Sequence, residues 1–148
     1  MRKTIPVILL VVLLVACVPV TVAPMPLPTS LIAWTIRFTQ SGGIMGMSRS
    51  IEVSSDGKYS ATDERAEKTI EGQLSVPEMS RLKSLVSEAA QFPSVKPNNG
   101  CADCFIYTIE IFGLGQPVEL QATDVSLPDS GLMALVDFLR GVMEEALK

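Results

Sequence analysis

Ser75-Val-Pro-Glu78 is where the chain changes period. Upstream, apolar residues alternate: Ile32, Trp34, Ile36 and Phe38 interleave with Ala33, Thr35, Arg37 and Thr39, the period-two pattern of a strand with one buried face. Downstream, Met79, Leu82, Leu85, Val86 and Ala89 fall on one face of a helix. The four residues between account for the switch. Ser75 can cap the helix, Glu78 reaches back to the Ser75 amide, and Pro77 sits in the first turn, where amides lack partners anyway. Phe92-Pro93 ends the run.

Working outward, Ser48 to Ser54 alternates weakly through Ile51 and Val53, and Asp56-Gly57 is a two-residue turn signal that returns the chain as a strand over Lys58 to Thr62. Lys68 to Leu74 reads as a fourth strand, with Ile70 and Leu74 on one face. The opening device recurs at Ser126-Leu-Pro-Asp129, followed by Leu132, Leu135, Val136, Leu139, Val142 and Met143 at helical spacing. Between the helices lie strands over Phe105 to Phe112 and Val118 to Thr123, joined through Gly113-Leu-Gly115. Strands then helix, twice, with one apolar stripe per helix, predicts an α+β domain: an antiparallel sheet of about four to six strands with two helices packed on one face.

The stretch Gln40-Ser-Gly-Gly-Ile-Met-Gly-Met47 stands apart, because glycines mark a loop while Ile44, Met45 and Met47 are residues usually buried. It lacks the Lys-Ser or Lys-Thr of a phosphate loop and the spacing of a dinucleotide loop. Two readings stay open. The apolar residues fold over the sheet end as core, or they form an exposed tip that binds a partner, a use that suits the adaptable thioether of methionine.

The first sixteen residues read as a signal: Arg2 and Lys3, then an apolar run from Ile5 to Ala16, shorter than the roughly 20 residues of a spanning helix. Leu14-Val-Ala-Cys17 resembles a bacterial lipoprotein processing site, which implies cleavage after Ala16 and lipidation of Cys17. Two or three acyl chains, at ~0.8 kcal/mol per buried methylene, make such an anchor stable. Val18 in place of Asp implies the outer membrane if the cell is Gram-negative. Residues 17–31 carry Pro19, Pro24, Pro26 and Pro28, a polyproline-type tether that at ~3.1 Å per residue reaches ~40 Å from the lipid surface. Residues 32–148 have the size of one domain. Once Arg2 and Lys3 are removed, 10 basic side chains face 16 acidic ones, and no basic cluster exists, which argues against nucleic acid or an anionic membrane surface as partner.

Histidine is absent, which removes Ser-His and Cys-His nucleophile pairs and the commonest metal ligand. The carboxylates Glu64, Glu67, Glu71, Glu144 and Glu145 read as solvated faces rather than acid/base pairs. No catalytic residue, metal site or cofactor is expected, and the chain does not read as an enzyme. Cys101-Ala-Asp-Cys104 admits three readings. A redox pair wants a helix N-terminus, yet this one runs into a strand; a zinc site wants four ligands; a structural disulfide fits an exported chain and would pin the end of the Pro93 to Gly100 loop.

Ile36-Arg-Phe-Thr-Gln-Ser-Gly-Gly43, Ile51-Glu-Val53, the helix from Pro77, Asp103-Cys-Phe-Ile-Tyr-Thr108 and the helix after Pro128 together resemble emfourin-type proteins, small inhibitors of thermolysin-like zinc metalloproteases such as protealysin. The similarity spans about Trp34 to Val142. It departs in the lipid tether, in a longer Lys58 to Gly72 segment and in the cysteine pair. The resemblance implies a module that occludes the cleft of a secreted or envelope thermolysin-like protease, and the leader with Cys17 implies that this module is lipid-anchored and extracytoplasmic. Ser41, Gly42, Gly43, Ile44, Met45 and Met47 would meet the partner, while Phe105 and Tyr107, sharing a sheet face, serve the core. The rival expectation is a non-inhibitory structural or assembly lipoprotein of the envelope; a thiol redox enzyme is the third.

Overall fold

The alternation after Trp34 becomes β1, Thr35–Gly42, the pivot of a sheet seen in a computed structural model that describes residues 33–89, 91 and 101–148. The signal segment, Cys17 and its lipidation, the proline tether, Ile32, and the Phe92-Pro93 stop with the loop through Gly100 lie outside the described residues. The remaining strands are β2 (Met47–Ser54), β3 (Lys58–Asp63), β4 (Lys68–Gln73), β5 (Phe105–Phe112) and β6 (Val118–Thr123). They form one antiparallel sheet in the order β4-β3-β2-β1-β5-β6. Helix α1 (Val76–Ala89) follows β4, and α2 (Met133–Leu147) closes the chain. The fold is α+β, with six strands and two helices.

Register sorts the side chains. Ile36 lies beside Val53 and Ile111, and Phe38 beside Ile51 and Ile109, so period-two alternation sends all of them to one face. They form a single core with Ala61, Tyr107, Leu120, with Leu82, Val86 and Ala89 of α1, and with Leu135, Val136, Leu139 and Met143 of α2. Both helices therefore cover the same face, as their stripes predict. Each large side chain buried there contributes about 1.5–3 kcal/mol. The opposite face is polar: Arg37 sits between Glu52, at 2.7 Å, and Glu110, at 3.8 Å. These half-exposed pairs favour the register but add little stability.

The two helix entries differ. At Ser75 the expected reach-back is present: the Glu78 carboxylate accepts from the Ser75 amide at 2.7 Å and from its hydroxyl at 2.5 Å. These bonds, the hydroxyl's first, hold the Glu78 carboxyl below its ordinary pKa. At Ser126 the expectation fails. Leu127–Asp129 is a single 3-10 turn, and α2 begins only at Met133. The Ser126 hydroxyl accepts from the Thr123 amide at 2.8 Å instead of capping a helix. Gly131 then turns the chain at φ +73°, and the first bond of α2 runs from Val136 N–H to Leu132 O. The Asp56-Gly57 signal does make the β2–β3 turn, although three residues, 55–57, connect the strands. Gly57 N–H donates to Ser54 O at 2.8 Å, and the Asp56 carboxylate, accepting from the Ser54 hydroxyl and the Lys58 amide, is lowered to a pKa of about 2.

Candidate partner-binding tip

The Gln40 to Met47 segment divides in a way its composition does not announce. Ser41 and Gly42 belong to β1 and Met47 to β2, since Ser41 pairs with Ser48 and Gly42 with Met47. β1 is also bonded along its other edge, where Ser41 meets Ile106 and Gly42 meets Phe105. Pairing on both sides carries the strand through residues with low strand preference. The turn proper is Gly43-Ile-Met-Gly46, closed by a bond from Gly46 N–H to Gly43 O at 3.0 Å.

Exposure decides between the two readings of this segment. Ile44 is 89% exposed and Met45 69% exposed, so neither is core. Met47 is half-buried and shares the strand face of Ile51 and Val53, the helix-covered side. Of the six residues assigned to the partner, then, Ile44 and Met45 present apolar surface. Ser41, Gly42, Gly43 and Met47 frame them.

The turn is held from below. Gly43 N–H donates to Cys104 O at 3.2 Å, and the Arg65 guanidinium reaches Met45 O at 3.5 Å. Gly42 (φ +103°) and Gly43 (φ +69°) adopt left-handed conformations that disfavour side chains. Space agrees: a Cβ on Gly42 would stand 2.5 Å from Cys104 O, and one on Gly43 would stand 2.9 Å from the Phe105 ring. The glycines thus let the turn lie directly on the Cys104-Phe105 segment.

That segment is itself pinned. The Asp124 carboxylate accepts from the Phe105 amide at 2.9 Å and from the Tyr107 hydroxyl at 2.7 Å, and Asp124 N–H donates to Phe105 O at 3.3 Å. Tyr107 is buried and stacks on Phe38, with ring centroids 6.2 Å apart. Burial, followed by the bond to Asp124, pushes its phenol up to about 12. Further along the same end of the sheet, Arg49 pairs with Asp63 at 2.7 Å. The Asp63 carboxyl is held low by the Ala66 amide first and by Arg49 second. Buried Gln40 lies between Arg49 and Tyr107 in the register.

Cys101 and Cys104 form a disulfide, with their Cα atoms 5.5 Å apart. The bond lies beside the turn, since Cys104 supplies the carbonyl that receives Gly43. Sequence reasoning did not single out Asp124, Arg65 or the exposed Val125, which shares this end of the sheet. Asp124 reads as an ordinary acidic turn residue, and only strand pairing brings it under Phe105.

Among the described residues no three His, Cys, Asp or Glu side chains gather as metal ligands. A concavity of about 560 Å³ lies between the helices, over Tyr59, Leu74, Phe138 and Val142, with Arg81 stacked on Phe138 at 5.6 Å. It is open and shallow, and it lies away from the tip. Compared with protein-family models and with curated proteins, the chain matches none.

Proposed function

We propose that this chain is a lipid-anchored, extracytoplasmic binding module whose 43–46 turn enters a cleft of a partner protein and occludes it, in the manner of an inhibitor of thermolysin-like zinc metalloproteases. The observation that carries the reading is the pairing of exposed apolar side chains with a hydrogen-bonded turn backbone. Ile44 and Met45 stand in solvent on a turn whose backbone is hydrogen-bonded to Cys104 and Arg65, with the Phe105 ring filling the space a Gly43 side chain would need. A backbone already held in place loses little further freedom on binding, so only the rotamer freedom of the exposed side chains offsets the gain from burying them. Lipidation at Cys17 and the proline tether place the module at a bacterial membrane and leave the tip free to reach a soluble or envelope protease. Any approach to the partner's zinc would be made by a main-chain or carboxylate oxygen, since the chain has no imidazole.

A titration of thermolysin with the full-length protein in detergent micelles tests the reading. The expected result is loss of proteolysis with a sharp one-to-one equivalence point and no cleavage of the turn. No inhibition of thermolysin or of several related proteases would reject it in favour of a structural envelope lipoprotein.

A further inference from the structure

The Cys101–Cys104 bond closes a loop with a sequence separation of only 3. In the chain-entropy account so short a loop restrains the unfolded chain weakly, whereas a staple of the whole fold joins distant segments. Its effect is therefore local. Locally it adjoins one structure, the seat of the 43–46 turn: Cys104 O receives the Gly43 amide, the same carbonyl occupies the space a Gly42 side chain would need, and the ring of the next residue stands where a Gly43 side chain would go. Asp124 holds Phe105 from the β6 side. The disulfide holds the residue before it. Cys101 is exposed and Cys104 half-buried, so a reductant reaches the bond without unfolding the core.

We propose that the Cys101–Cys104 disulfide is a redox control on the tip: closed, it holds the turn in its binding conformation, and opened, it releases the turn while the domain stays folded. The inference rests on the reading of the tip as the partner-contacting element. The chemistry is thiol–disulfide exchange with a dithiol of the thioredoxin class. One thiolate of the dithiol attacks Sγ of Cys101, the Sγ–Sγ bond breaks, and Cys104 leaves as a thiolate that takes up a proton. The second thiol then attacks the mixed disulfide, Cys101 leaves and is protonated, and the dithiol becomes a disulfide. Two electrons and two protons pass to the cysteine pair.

Residue-resolved hydrogen exchange on the full-length protein, oxidised and then reduced with dithiothreitol, reads the seat directly. Exchange at Gly43 and Gly46 is expected to accelerate about tenfold or more on reduction, while Ile36, Phe38 and Ile109 keep their protection. The variant Cys101→Ser/Cys104→Ser is expected to behave like the reduced form without reductant. Unchanged exchange at the turn would overturn the proposal. A loss of protection throughout the core would overturn it too, because the bond would then be a general staple. Thermolysin titration with the double-Ser variant, which avoids the zinc chelation that a dithiol brings, separates the two ideas. Equal inhibition by wild type and variant rejects the redox control alone, whereas no inhibition by the oxidised wild type rejects the inhibitor reading and leaves the exchange result to judge the switch.

Discussion

Tyr107 shows how one residue links the tip to the core. Its ring packs on Phe38 in the buried face, and its hydroxyl donates to the Asp124 carboxylate that also receives the Phe105 amide. The alternation of Phe105, Tyr107 and Ile109 made the ring's inward direction legible. The partner of the hydroxyl was not legible, because Asp124 comes from another strand and nothing local distinguishes it from a solvated turn acid. The linkage has a sign. The folded phenol holds its proton up to a pKa of about 12, whereas an unfolded tyrosine gives it up near 10, so the unfolded chain loses the proton first as pH rises. The stabilisation is complete below about pH 10 and disappears between about 10 and 12. Urea midpoints measured across that range should fall more steeply for wild type than for Tyr107→Phe, which lacks the titration. Parallel profiles would contradict the assignment.

Among the elements, the helices were the most legible and their starts the least uniform. Met79, Leu82, Leu85, Val86 and Ala89, and then Leu132 to Met143, declared their faces through spacing alone, because helical contacts with a sheet repeat every three or four residues. Two similar tetrapeptides nevertheless gave different openings. Glu78 returns to the Ser75 backbone, while the Ser126 hydroxyl is taken by Thr123. That difference depends on where β6 ends and is not written in the tetrapeptide. β1 ran past its expected end for a similar reason: Ser41 and Gly42 are poor strand formers, and pairing with β2 and β5 overrides them. Leu139, fully buried beneath the sheet in α2, measures how much the helix-on-sheet packing contributes. Leu139→Ala should cost about 2–5 kcal/mol in denaturant unfolding. A change below about 1 kcal/mol would mean that α2 does not close the core as described.

For the whole molecule, the order β4-β3-β2-β1-β5-β6 matters because it puts the first strand in the middle. A hairpin at a sheet edge would carry its turn on a frayed support. Here the 43–46 turn extends from a strand bonded on both sides and rests on a segment held by Asp124 and by the disulfide. The α+β class and the two helices could be foreseen from periodicity. The central place of β1 could not, since it depends on β5 returning across the sheet after α1. That position ties the strand leading into the exposed Ile44 and Met45 to neighbours on both sides, and Met47, unlike them, lies on the helix-covered face. The most direct test of the central claim is a paired measurement on the Ile44→Ser/Met45→Ser variant: its melting temperature and its dissociation constant for thermolysin. The account predicts a melting temperature within about 2 °C of wild type and binding weakened about a hundredfold or more. A variant that melts much earlier, or that binds as tightly as wild type, would contradict it.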